Sequence, residues 1–287
     1  MKNPLKLVCQ NPDRSTLTFA YAFPFWLVEV EGATSSEFKV KTEGYASGDG
    51  EYYLGAQAPK RVIEITAKCI GTPAQHARYR EQLLRFFQPR QTGTLFYHDG
   101  GAGKKIAYQT EAVEIAPTGL EREINVTLVC PDPIWKSVTD EGVSMAWVEG
   151  DIEFPAELAP EFTVAHRVPV VMGKIHNDSN VTRGLTITFE ASGNVSNPIM
   201  IEATRQQQLK VKVDMVIGDI LTITTGPHNK HVRLTHDGVT REVNNKWVFG
   251  STWLQAAPGK NVYRYTADSG EESLAATITS TPQYWGA

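Results

Sequence analysis

The sequence predicts a mostly β protein: a β-rich amino-terminal domain with one packed helix, followed by a second, all-β domain. Three observations carry that reading. Runs of β-branched and aromatic residues recur at spacings of about 8 to 12 residues between Gly, Pro, Asn and Asp, the pattern of a sandwich or barrel. One segment has helical periodicity together with start and stop signals. The charge balance also changes near residue 140, with 16 basic and 16 acidic side chains up to that point and 12 basic against 16 acidic beyond it.

In the first domain, residues 1–140, strands are expected at Ile63 to Ile70, Thr94 to His98, Ile106 to Ile115 and Ile124 to Cys130. The helix begins at Thr72-Pro73-Ala74-Gln75, where threonine caps, proline suits the first turn and glutamine closes a capping box. Tyr79, Leu83, Phe86 and Phe87 then fall on one stripe that packs on the sheet, and Pro89 stops the helix. From Lys136 to Arg167 there is no intervening basic residue but seven acids, with Pro155 and Pro160. This composition marks residues 141–165 as an acidic linker or crossing segment.

The second domain, residues 166–287, has expected strands at Leu185 to Glu190, Ile199 to Ala203, Leu209 to Val216, Leu221 to Thr225, Val232 to Thr235, Val262 to Thr266 and Leu274 to Thr279. His98-Asp99-Gly100 and His236-Asp237-Gly238 both read as hairpin turns, because an Asp-Gly pair supplies positive φ.

Composition excludes several classes. A chain of 287 residues, 41% hydrophobic, is neither disordered nor a disulfide mini-protein, and a formal net charge of −4 removes the overall basic surplus of a nonspecific nucleic-acid binder. Cys9, Cys69 and Cys130 lie in or beside apolar runs and read as small buried hydrophobes. The start, MKNPLKLVCQ, makes a poor signal peptide, and no run approaches the roughly 18 apolar residues of a membrane helix, so a soluble chain made in the cytoplasm is expected.

The search for chemistry returns little. Seven histidines form no HExxH or ligand cluster, and His228 and His231 fall in a turn context. Asp99-Gly-Gly-Ala-Gly-Lys-Lys105 superficially suggests a phosphate loop, but Lys105 stands at the Ser/Thr place and a strand follows where a helix is needed. No nucleophile elbow is present. The expectation is no catalytic, metal or cofactor site, and no enzyme.

The order and spacing of shorter motifs are more telling. Gly48-Asp-Gly50-Glu-Tyr-Tyr53-Leu-Gly55, Cys130-Pro131-Asp132-Pro133, Phe154-Pro155-Ala-Glu-Leu158-Ala-Pro-Glu-Phe162, Gly173-Lys-Ile175-His-Asn177, Asn197-Pro198-Ile199, Gly218-Asp219 and Trp253-Leu254-Gln-Ala-Ala-Pro258-Gly259-Lys-Asn261-Val-Tyr263 follow one another along the chain. Together they resemble the distal tail protein family of long noncontractile-tailed bacteriophages. A departure from that family's closing pattern is Thr281-Pro282-Gln283-Tyr284-Trp285, where proline interrupts the last strand.

The resemblance implies that the second domain is a galectin-like β-sandwich and that the first assembles as a homo-hexameric ring. That ring would join the tail tube protein to the tail-tip or baseplate hub and receptor-binding proteins, in the virion tail, with DNA as a transient passenger and no membrane insertion. The glycine-rich hairpin tip, His98, Asp99, Gly100, Lys104 and Lys105, is a candidate subunit interface. The alternative reading is a carbohydrate-binding module that grips host surface glycans, with Trp147, Trp247 and Trp253 as candidate stacking residues.

Overall fold

The computed structural model describes residues 5–150, 165–169 and 172–287, with 146–150 and 165–169 as backbone. Contacts divide the chain into two units, Met1–Thr139 with Gln283–Ala287, and Asp140–Pro282. Residues 166–287 are expected as one domain, whereas the five residues that follow Pro282 lie in the first unit.

The first unit contains β1 (Lys6–Gln10), β2 (Thr16–Ala20), β3 (Trp26–Glu31), β4 (Lys39–Gly44), β5 (Glu51–Gln57), β6 (Arg61–Ile70), α1 (Pro73–Phe86), β7 (Thr92–His98), β8 (Lys104–Ile115), β9 (Glu121–Cys130) and β10 (Trp135–Ser137). The hydrogen-bonded order β8-β7-β1-β2-β3-β6-β9 returns to β8, so seven strands close into a ring and hide their edges. One flank of β8 is shared: β10 pairs at Lys104 and Lys105, and β9 takes over from Gln109 after β10 has ended.

Strict alternation explains the long β6–β9 pair. Ile63, Ile65, Ala67 and Cys69 of β6 and Ile124, Val126, Leu128 and Cys130 of β9 are all buried in one core with Leu7, Phe19, Leu27, Leu95 and Trp135. Each such aliphatic or aromatic side chain contributes about 1.5–3 kcal/mol on full burial. Helix α1 follows its sequence signals: Thr72 caps it, Gln75 completes the capping box, and Leu83, Phe86 and Phe87 enter the core. Buried His76 adds a tie the periodicity did not show, with Nε2 3.1 Å from the Leu120 carbonyl and Nδ1 3.5 Å from Cys69 Sγ. The three cysteines are buried free thiols, and desolvation pushes Cys9 and Cys130 up to about 12.

The second unit holds β11 (Glu141–Ser144), β12 (Ala146–Gly150), β13 (Ala165–Pro169), β14 (Met172–Asn177), β15 (Arg183–Gly184), β16 (Thr186–Ala191), β17 (Val195–Glu202), β18 (Gln207–Lys210) and β19 (Asp214–Met215). It continues with β20 (Ile220–Gly226), β21 (Asn229–His236), β22 (Val239–Glu242), β23 (Gln255–Ala256), β24 (Gly259–Ser269) and β25 (Leu274–Ser280); β26 (Gln283–Tyr284) returns to β10 of the first unit. A six-stranded sheet, β11-β25-β16-β20-β21-β22, and a five-stranded one of β14, β24, β17, β18 and β19 enclose one core, a β-sandwich. Three Thr-Ile-Thr tripeptides show why: Ile187, Ile223 and Ile278 point inward on adjacent strands, while Thr186 stands opposite both Thr224 and Thr279.

Two expectations change in detail. The single strand at Leu209 to Val216 is two pieces, because β18 ends at Lys210 and β19 pairs separately with β17. The acidic segment 141–165 begins as strand, with Glu141–Ser144 paired to β25; residues 151–164 lie outside the described residues.

Candidate functional site

The glycine-rich tip is a five-residue loop, 99–103, between His98 at the end of β7 and Lys104 at the start of β8. Gly100 has φ 97° and the Asp99 carboxylate accepts the Gly101 amide at 3.0 Å, so Asp-Gly serves as turn chemistry there. The equivalent His236-Asp237-Gly238 is a tight two-residue hairpin with φ 48° and 75° at its centre. Asp99 and Gly100 are exposed, His98 and Lys105 are half-buried, and Lys105 stands directly opposite Lys136. Lys104 is engaged within its own unit: its ammonium donates to the Gly286 carbonyl at 3.2 Å and lies 4.8 Å from the centre of the Tyr284 ring.

A larger surface was not marked by sequence periodicity. Among the described residues, strands β4 and β5 form a two-stranded ribbon paired only with each other, and almost every residue of it is exposed. The register Val40↔Ala56 and Thr42↔Tyr53 puts these four on one face, where Val40 is 60% and Tyr53 66% exposed. The other face pairs Lys39 with Gln57 and Glu43 with Tyr52, whose hydroxyl donates to the Glu43 carboxylate at 2.6 Å. The Gly48-Asp-Gly50 motif forms its tip, with φ 111° and 103° at the two glycines. An isolated two-stranded hairpin is marginal in water, so an apolar face on one calls for a partner surface.

Of the candidate stacking residues, Trp147 lies among residues described as backbone. Trp247 and Trp253 stack on each other, centroids 5.8 Å apart and planes within 6°, with the Lys230 ammonium 5.8 Å from the centre of Trp253. Each indole therefore gives one face to the other. The neighbouring Phe249 is 97% exposed at a turn closed by Ser251 N–H to the Val248 carbonyl.

Among the described residues no group of three or more His, Cys, Asp or Glu is placed to hold a metal ion. An open cleft of about 640 Å³ lies beside α1, lined by polar side chains including Asn11, Asp13, Arg78, Glu81, Gln82 and Arg85. Its acids are engaged, Asp13 with Ser15 and Glu81 with Arg85, and it contains no cysteine or histidine.

No protein-family model and no curated protein sequence matches this chain. Solved structures do. The SPP1 Dit protein, described as a paradigm of the hub adsorption apparatus in phages infecting Gram-positive bacteria, superposes with a TM-score of 0.69 at 15% identity, over 96% of this chain and 98% of that one. The chain has the Dit fold. A chain of the phage P2 baseplate, in its activated conformation with Ca, matches at a TM-score of 0.53 and 9% identity over the full length of both.

Within the Dit fold the motif residues tie loops. Asn177 donates to the Val181 and Ala256 carbonyls, at 2.9 and 3.0 Å, while its own carbonyl accepts from Ser179. Asn261 closes the turn at Gly259 (φ 87°), donating to Ala257 and Gly259 and accepting the Ala257 amide. Asp219 accepts the Val216 amide across Gly218 (φ 88°) and holds His236 at 2.6 Å. Short, weakly specific motifs are what such loop locks require, since each reaches only a few residues along the chain.

Proposed function

We propose that the chain is a structural hub of a phage tail tip or baseplate, assembling through its first unit as a hexameric ring between the tail tube and the distal adsorption apparatus. The end-to-end correspondence of both units with SPP1 Dit carries this reading. The ring itself is supported by the exposed apolar face of β4–β5, which a second copy of the chain would cover in every subunit of a closed assembly. The loop at Asp99 and Gly100, with His98 and Lys105, is a second, polar contact in that ring. DNA passes through the channel without being bound, and the role requires no catalysis.

The glycan-binding alternative would use indole faces turned to solvent. Trp247 and Trp253 instead cover part of one another, which favours a packing role. Negative-stain microscopy of the purified full chain tests the hub reading: a closed six-fold ring with a central opening is expected, and a monomer retained by a glycan array would overturn it.

A further inference from the structure

Beyond residue 140 the chain is acidic, with 12 basic against 16 acidic side chains, yet one face of the second unit runs against that balance. Strands β14 and β24 alternate strictly. Ile175, Tyr263 and Tyr265 turn into the core, while Lys174, Lys260 and Arg264 are exposed on the opposite side. The register sets Met172 against Arg264, Lys174 against Val262 and His176 against Lys260, so Lys174 lies diagonally between Lys260 and Arg264. Two residues of strand advance about 6.7 Å, which makes an even stripe of cations running roughly 13 Å along the strands.

Among the described residues none of these three cations has an acidic partner, although the same sheet supplies partners elsewhere. The Lys210 ammonium meets the Asp268 carboxylate at 2.7 Å, and His176, at the end of the stripe, lies 3.1 Å from Asp178. Side chains as long as lysine and arginine reach one another across the diagonal of a strand pair, and like charges there are unfavourable. An anion laid along the stripe would relieve that repulsion at each step.

We propose that this stripe binds a linear anionic polymer carrying a phosphodiester in every repeat, of the kind displayed on cell surfaces. The stripe itself stands on its charge geometry; the cell-surface source of the polymer rests on the hub reading, in which the chain sits at the end of a tail. Lysine meets phosphate as a point charge and arginine through paired N–H donors, so both suit a chain of phosphate oxygens. A protein partner is less well served. Neither β14 nor β24 turns a Phe, Trp or Tyr outward, and affinity between proteins concentrates on such anchors. A hydrated polyelectrolyte needs only cations at regular intervals, and release of its counterions drives the association.

Calorimetric titration of the full chain with poly(glycerol phosphate) of defined length tests the site. Wild type is expected to bind, and to weaken roughly twentyfold between about 50 and 200 mM salt, the dependence for about three phosphates neutralised. The triple variant Lys174→Gln, Lys260→Gln, Arg264→Gln should lose roughly tenfold or more in affinity while keeping the wild-type circular dichroism spectrum. Lys230→Gln, Arg233→Gln, Arg241→Gln removes the same charge from β21 and β22 of the other sheet and should bind as wild type does. Equal losses in the two triple variants would show that net charge alone acts, and polyglutamate bound as tightly as the phosphate polymer would give the stripe to an acidic protein; either result overturns the assignment. Light scattering on the same samples reads assembly separately: a wild type that forms the ring without binding the polymer overturns the site alone, and one that binds through the stripe as a monomer overturns the hub reading alone.

Discussion

Trp285 packs edge-on against Phe38, ring centroids 5.0 Å apart at 69°, and so joins the segment after the second unit to the residue immediately before the β4–β5 ribbon. The same segment is held at Gln283 and Tyr284 by β10, at Gly286 by Lys104 and at Ala287 by the Ala33 carbonyl. The base of the exposed ribbon is thus set by residues nearly 250 positions away in sequence. Trp285→Ala should leave the barrel folded and loosen the ribbon. Hydrogen exchange is expected to rise in residues 39–57 and to stay unchanged in β6 and β9; unchanged exchange in the ribbon would refute the coupling.

Arg61 is the barrel's buried anchor for the same segment. Its guanidinium donates to the carbonyls of Pro133 at 2.9 Å and Gly32 at 2.6 Å, and also to Ser35 and Trp285. Hydrogen bonds that involve a charged group contribute about 1.5–3 kcal/mol each, though not additively. Arg61→Met should therefore destabilise the first unit by roughly 3 kcal/mol, more than one such bond, read as a lower denaturation midpoint with the second unit's transition unmoved.

The Asp219–His236 pair gives a pH signature. The bond to the Asp219 carboxylate raises His236 above its ordinary value of 6.5, with that charge and Asp237 acting in the same direction. A raised histidine contributes stability that is fully present below about 6.5 and is lost as pH rises through the higher folded value. The thermal midpoint of the second unit should fall between pH 6 and pH 8 by more in wild type than in His236→Ala. Equal slopes would show that the pair carries no linkage.

Thr72→Ala should cost about 1 kcal/mol by removing the cap of α1, and Thr72→Ser should restore most of it. Helix content at the start of the thermal transition and the midpoint of the first unit provide the check.

What the sequence made legible was local. The capping box at Thr72 and Gln75 set the helix start because both partners lie within four residues, and β6 and β9 announced themselves through a period of two with one face wholly buried. The ribbon escaped because β4 and β5 are exposed on both faces and have no buried period to read, although its glycine motif was visible. The return of Gln283–Ala287 to the first unit, the closure of β8 on β9 and the mutual stacking of Trp247 and Trp253 depend on long-range pairing, for which a single sequence carries no signal. The hairpin tip was found for its glycines, yet Lys104 within it is engaged by the chain's own Tyr284 and Gly286.

Molar mass by light scattering over a concentration series, with wild type beside the Val40→Asp, Tyr53→Asp variant, tests most directly the claim that this chain assembles through the ribbon of its first unit. Wild type should reach a discrete six-subunit mass while the variant remains a folded monomer. A variant that assembles as wild type does, or a wild type that stays monomeric throughout, would contradict it.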